Sequence, residues 1–148
     1  MAKKASLKKE ILDTNVLLRF LVGDNQSQQT QAVQWFKEAE AGKRKIIVVP
    51  LVIAEACFVL ESFYKKQRPE IAQALEVFVG ERWLQVEDRG VLLKIWPHYL
   101  KNFHFVDSFL LSWSEVYETK LLTFDRQLQE KIDRETIYEP YLRRKISH

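Results

Sequence analysis

Ile46-Ile47-Val48-Val49 is an unbroken apolar run that stops at Pro50, and it restricts the fold more than any other stretch of the chain. A strand with one wet face alternates apolar and polar residues, whereas a strand covered by helices on both faces does not, and that situation belongs to parallel sheets. Shorter segments, Ile11-Leu12, Trp83 to Val86 and Leu121-Leu122, read as companion strands. Helical patterns lie between them. Val16, Leu17, Phe20 and Leu21 recur at helical spacing until Gly23-Asp24-Asn25, a loop that can also cap the next helix, whose apolar face is Ala32, Val33, Phe36 and Ala39 and whose end is Gly42. Pro50 suits the start of a helix that buries Ile53, Cys57, Leu60 and Tyr64 and leaves Glu55 off that stripe. Pro69 opens another helix through Ile71, Leu75 and Phe78, closed by Gly80. Val91 to Tyr99 reads as helical with an end blurred by Pro97, and Phe109, Leu110, Trp113, Val116 and Tyr117 form the clearest amphipathic pattern. A last helix is expected from Asp125 to about Ile132. Strands alternating with helices imply an α/β domain with right-handed crossovers.

Composition supports one domain. The chain has 148 residues, 47% hydrophobic and 29% charged, which suits a single compact core over residues 9–148 behind a basic arm, residues 1–8, that carries Lys3, Lys4 and Lys8. A net charge of +3 leaves any nucleic-acid footing to local basic patches. The lone Cys57 lies among apolar neighbours, which excludes an internal disulfide and predicts a buried, inert thiol in a reducing cytoplasm. Asp13 and Asn15 break the apolar stretch after the basic start, so neither a signal peptide nor a membrane span is expected.

Four acids stand where apolar runs give way to helices: Asp13 after Ile11-Leu12, Glu55 after the Val49-Pro50 junction, Asp107 at the head of the Phe109 to Tyr117 pattern, and Asp125 after Leu121-Leu122-Thr123-Phe124. In an open parallel sheet these positions face a ligand. Two carboxylates about 5 Å apart repel by roughly 3 kcal/mol at an effective dielectric near 20, so a shared pocket asks for a hard divalent cation. Oxygen ligands with retained waters suit Mg²⁺ or Mn²⁺, and Cys57, His98 and His104 lack the paired spacing of a structural zinc site. Each acid also has a plain alternative, since all four could instead cap or stabilise the start of a helix. Their corresponding placement, with polar Thr14, Asn15, Ser108 and Thr123 around them, favours one shared site over four separate caps. The remaining acids, Glu87 and Asp88 among them, sit in polar sequence that reads as solvated surface.

These segments resemble the PIN domain, a metal-dependent nuclease family that includes the VapC-type toxins. Residues Ile11 to Arg19 resemble its opening strand and first acid, Val49 to Glu55 its second, Phe105 to Ser108 its third, and Leu122 to Arg126 its fourth. The resemblance implies a three-layer α/β/α fold with a central parallel sheet of four or five strands, the acids pooled at the carboxyl ends, and cleavage of RNA with Mg²⁺ or Mn²⁺. By the same resemblance Asp13 and Asp107 are direct metal ligands, Glu55 and Asp125 complete the pocket, and Asn15 and Thr123 orient the carboxylates. Many relatives carry a further acid where this chain has His104, which reads as an ordinary, partly exposed side chain. A homodimer and an antitoxin that covers the pocket with a basic side chain are also implied.

Cations on the rim would meet the scissile phosphate. Arg19 and Arg126 lie near the acids in sequence, and Lys43-Arg44-Lys45, Lys65-Lys66-Arg68 and Arg143-Arg144-Lys145 are further candidates, each of which reads singly as solvated surface. Trp35, Trp96, Tyr99 and Phe103 have a stacking reading, but core packing or a subunit interface fits their spacing better. The expected function is a Mg²⁺- or Mn²⁺-dependent endoribonuclease, the toxin of a toxin–antitoxin pair. One rival is a PIN-like module that binds RNA or protein without turnover, distinguished by tight binding without product. The other is a receiver-type phosphoacceptor; its usual paired acids after the first strand are replaced here by Asp13-Thr14-Asn15.

Overall fold

The computed structural model describes residues 6–134. Residues 1–5 of the expected basic arm and the Arg143-Arg144-Lys145 cluster lie outside them. Three parallel strands, β1 (Lys9–Ile11), β2 (Lys45–Val48) and β3 (Gln85–Val86), form a sheet in the order β1-β2-β3. Lys9, Glu10 and Ile11 pair with Lys45, Ile46 and Ile47, and Ile47 and Val48 pair with Gln85 and Val86. Being parallel, the strands have their carboxyl ends on one edge.

The crossover from β1 to β2 is α1 (Thr14–Val22) and α2 (Gln26–Glu40), and that from β2 to β3 is α3 (Pro50–Ser62) and α4 (Arg68–Gly80). Local chemistry accounts for their ends. Gly23 closes α1 at φ 71°, a left-handed conformation that costs glycine little. The Asn25 side chain accepts a hydrogen bond from the Gln28 amide at the start of α2, and Pro50 and Pro69 occupy first-turn positions of α3 and α4, where a missing N–H leaves nothing unpaired. The core joins Leu17, Leu18 and Phe36 to Ile46, Val48, Ile53, Leu60, Ile71, Leu75 and Phe78. Cys57 is buried there, and burial pushes its thiol up to about 12.

The second half departs from the sequence reading in three places. The single helix expected over 91–99 is two short ones, α5 (Arg89–Leu92) and α6 (Trp96–Leu100), because Pro97 takes a first-turn position, which starts a helix and does not end one. Leu121-Leu122 is not a strand; Leu122 and Phe124 are 83% and 103% exposed, and the sheet has three strands among the described residues where four or five were expected. An amphipathic stripe ordinarily faces the core. In α7 (Phe105–Tyr117) Ser108, Leu111 and Ser112 are buried, and of the expected stripe Phe109 packs against the core and Val116 is half-buried, while Leu110, Trp113 and Tyr117 are exposed, as is Val106. Two fully buried serines keep the inner face of α7 small. Residues 126–134 form the closing helix. No helix among the described residues is long and apolar enough to cross a membrane.

Candidate functional site

Asp13 follows β1 directly, on the carboxyl edge of the sheet, with Leu12 still bonded to Ile47 through its amide at 2.9 Å. It occupies the N-cap position of α1 in an extended conformation, yet its side chain makes no cap hydrogen bond. Its carboxylate is exposed and uncommitted, which sets aside the capping alternative for this acid. The next residue, Thr14, is 4% exposed and donates from Oγ1 to Glu55 Oε2 at 3.0 Å. Glu55 lies in the second turn of α3 or beyond, past the reach of the helix dipole at its start, so the dipole explains its position poorly. The hydroxyl of Thr14 therefore joins the segment that carries Asp13 to the helix that carries Glu55. Asn15 is exposed on the first turn of α1.

Asp107 lies in the first turn of α7, partly buried, just beyond His104, whose carbonyl accepts from both the Ser108 amide and the Ser108 hydroxyl at 2.9 Å. α3 packs against both α1 and α7, which brings the helices of Asp13, Glu55 and Asp107 into one layer of neighbours. The His104 side chain is exposed and makes no cap bond.

Asp125 is placed otherwise. Its Oδ1 accepts from the Gln127 amide at 2.9 Å and the Leu128 amide at 3.2 Å, so it caps the closing helix. Thr123 Oγ1 accepts from the Asp125 amide at 3.0 Å and thus shapes the backbone of that cap. Among the described residues no group of three or more His, Cys, Asp or Glu side chains is placed to hold a metal ion.

The cations sort by what they already hold. Arg19 donates to both oxygens of Asp24, at 2.9 and 3.0 Å, and also to Gln28 and Tyr64. Tyr64 donates to Asp24 at 2.8 Å, and that hydrogen bond, with Arg19, holds the Asp24 carboxyl below its ordinary value. Arg44 is bound to Glu10 and Glu38 and lies 5.9 Å over the Trp35 ring. Arg126 is exposed. Trp96 and Tyr99 are 2% and 1% exposed, so both belong to the core. Glu87 and Asp88, read as surface, follow β3 at the same sheet edge as Asp13. Two strand spacings, roughly 10 Å, separate β3 from β1, so they stand farther from Asp13 than the end of β2 does.

The PIN domain profile matches residues 11–135, a span that contains all four acids. The chain belongs to the PIN domain family. This membership displaces the receiver-type alternative. A "VapC ribonuclease" of Aquifex aeolicus (strain VF5) is 35% identical to it over 78 residues, 53% of this chain and 57% of that protein. The chain thus matches a little over half the length of this curated relative. No solved structure matches it.

Proposed function

We propose that this PIN domain is a metal-dependent endoribonuclease that hydrolyses RNA phosphodiester bonds in the cytoplasm as the toxin of a VapBC-type pair. The observation that carries the reading is the Thr14 to Glu55 hydrogen bond beside an uncommitted Asp13, at the carboxyl edge of a parallel sheet. Likeness to a VapC ribonuclease supports RNA as the substrate and an antitoxin as the partner.

The donor set suits Mg²⁺ or Mn²⁺, since Asp13, Asp107, Glu55 and Asp125 offer hard oxygens only. Asp13 and Asp107 would bind it directly, and Glu55 and Asp125 would complete the pocket. When bound, such an ion supplies Lewis acidity at the scissile phosphate and offsets charge on the leaving oxygen. The chain's own contribution is orientation. Thr14 fixes one oxygen of Glu55 and leaves the other to act, Asn15 flanks Asp13, and Thr123 holds the turn that presents the second oxygen of Asp125. Arg126, exposed at the head of the closing helix, is the substrate-side cation; Arg19 acts there only if RNA competes with Asp24.

A homodimer accords with the surface of α3 and α7, where Leu51, Phe58, Val106, Leu110, Trp113 and Tyr117 are all more than one third exposed. Large apolar patches of this type mark interaction sites.

A second reading, a PIN domain that binds RNA or protein without cutting, draws on the lack of a three-donor group among the described side chains. Purified protein incubated with mixed RNA and Mn²⁺ separates the two. Fragments that vanish with chelator support the nuclease; tight binding with intact RNA supports the module.

A further inference from the structure

The Lys65-Lys66-Arg68 cluster does not behave as one basic patch. Lys66 faces Glu70 at 3.5 Å with 40% of its side chain exposed, whereas the Arg68 side chain is 18% exposed and turned inward. Its Nε donates to Glu61 Oε1 at 3.0 Å, and its Nη1 donates to the carbonyls of Tyr99 and Phe103, each at 2.6 Å. The guanidinium lies 4.4 Å over the Tyr99 ring, and the Tyr99 hydroxyl donates to Glu61 Oε2 at 3.0 Å. Burial first, then the neighbouring Cys57 and the hydrogen bond to Glu61, push the Tyr99 hydroxyl far above its ordinary value, against the opposing pull of Arg68.

One side chain at the head of α4 thereby holds the end of α3 through Glu61, α6 through Tyr99, and Phe103, the residue directly before the His104 N-cap of α7. The hydrogen bonds of α7 begin at the His104 carbonyl, so the place of Phe103 sets the height and rotation of the turn that carries Asp107. Glu55 rides on the same helix as Glu61. Resting on the nuclease reading above, we propose that Arg68 is a positioning residue that locks the start of α7 against α3 and so fixes Asp107 relative to Glu55. It meets neither substrate nor metal. A lysine at this position keeps the charge but lacks the planar fork that reaches a carboxylate and two carbonyls at once.

The test uses the full chain with Arg68→Lys, Arg68→Ala and Tyr99→Phe, and reads Mn²⁺ uptake by electron paramagnetic resonance and hydrogen exchange at the Ser108 amide. Both Arg68 variants are expected to weaken Mn²⁺ uptake by about tenfold or more, the usual effect of losing an outer support of a metal site, and to speed Ser108 exchange. Tyr99→Phe loses one bond of the network but keeps the three made by Arg68; it is expected to lower the melting temperature and leave Mn²⁺ uptake and Ser108 exchange at wild-type levels. Unchanged uptake and unchanged Ser108 exchange in Arg68→Lys overturn the proposal, and that variant decides alone if Arg68→Ala does not fold. If wild-type protein takes up no Mn²⁺, the metal reading of the site falls. Ser108 exchange then decides the clamp by itself, faster exchange in Arg68→Lys supporting it and unchanged exchange refuting it.

Discussion

Asp13 and Asp125 both precede a helix, and the two ends of the domain use the same side chain in opposite ways. At Asp13 the helix begins without help from the carboxylate, which stays exposed beside a threonine that reaches across to Glu55. At Asp125 the carboxylate is bound to two backbone amides of the helix it opens. The difference follows from the backbone around them. A strand paired to β2 fixes the entry to α1 before Asp13 is reached, so no cap is required to define it. Residues 121–125 form no strand, and the closing helix takes its start from the aspartate itself. An acid at a strand-to-helix junction is thus available for chemistry to the extent that neighbouring pairing has already done the structural work.

The contrast breaks most sharply on charge removal. Asp13→Asn should lower RNA cleavage by more than about a hundredfold, beyond the loss typical of an outer-shell residue, with the melting temperature unchanged. Asp125→Asn keeps a good cap and tests the charge alone, whereas Asp125→Ala should also cost about 1 kcal/mol of stability, read by urea unfolding. Equal activity loss in Asp125→Asn and Asp13→Asn would show that the two carboxylates do the same work. Thr14→Val, nearly isosteric, should reduce cleavage roughly ten- to a hundredfold through misorientation of Glu55 and cost about 1 kcal/mol for the lost, partly buried bond.

Smaller effects probe the remainder of the fold. Leu110→Lys, on the exposed stripe of α7, should shift the protein toward monomer in sedimentation while changing monomer stability by no more than about 0.5 kcal/mol. The Cys57 thiol, raised to about 12 from an ordinary 9.0, should resist alkylation at pH 8.5 until the chain unfolds. Its sign is that of a group protonated longer in the folded state. The contribution is full below pH 9 and declines as pH rises toward 12, which a melting series in alkaline buffers would follow.

Much of the first half was legible because its signals are local. Gly23, Asn25, Pro50 and Pro69 each act on their own backbone, and Ile46 and Val48 announce a buried strand without reference to distant residues. The orientation of α7 was not legible, because hydrophobicity locates an apolar stripe but not the neighbour that covers it. Here the close-packed inner face is lined by Ser108, Leu111 and Ser112, Phe105 and Phe109 pack against the core at its margin, and Trp113 and Tyr117 are left outward. The role of Arg68 is hidden in the sequence for a related reason. In sequence it continues a basic run, and only the return of α6 and Phe103 to the head of α4 shows that its donors are engaged. Asp13 and Asp125 matched one pattern equally well, since a pattern of residue types does not record which amides a carboxylate accepts.

Whether Asp13 and Glu55 work as one unit joined through Thr14 is decided by a double-mutant cycle on the rate of Mn²⁺-supported RNA cleavage with Asp13→Asn, Glu55→Gln and the pair. Residues of one working unit lose their effects non-additively. The double variant is expected to be scarcely slower than the worse single variant. Losses that multiply across the two sites, or cleavage that survives both substitutions, would contradict a single working unit.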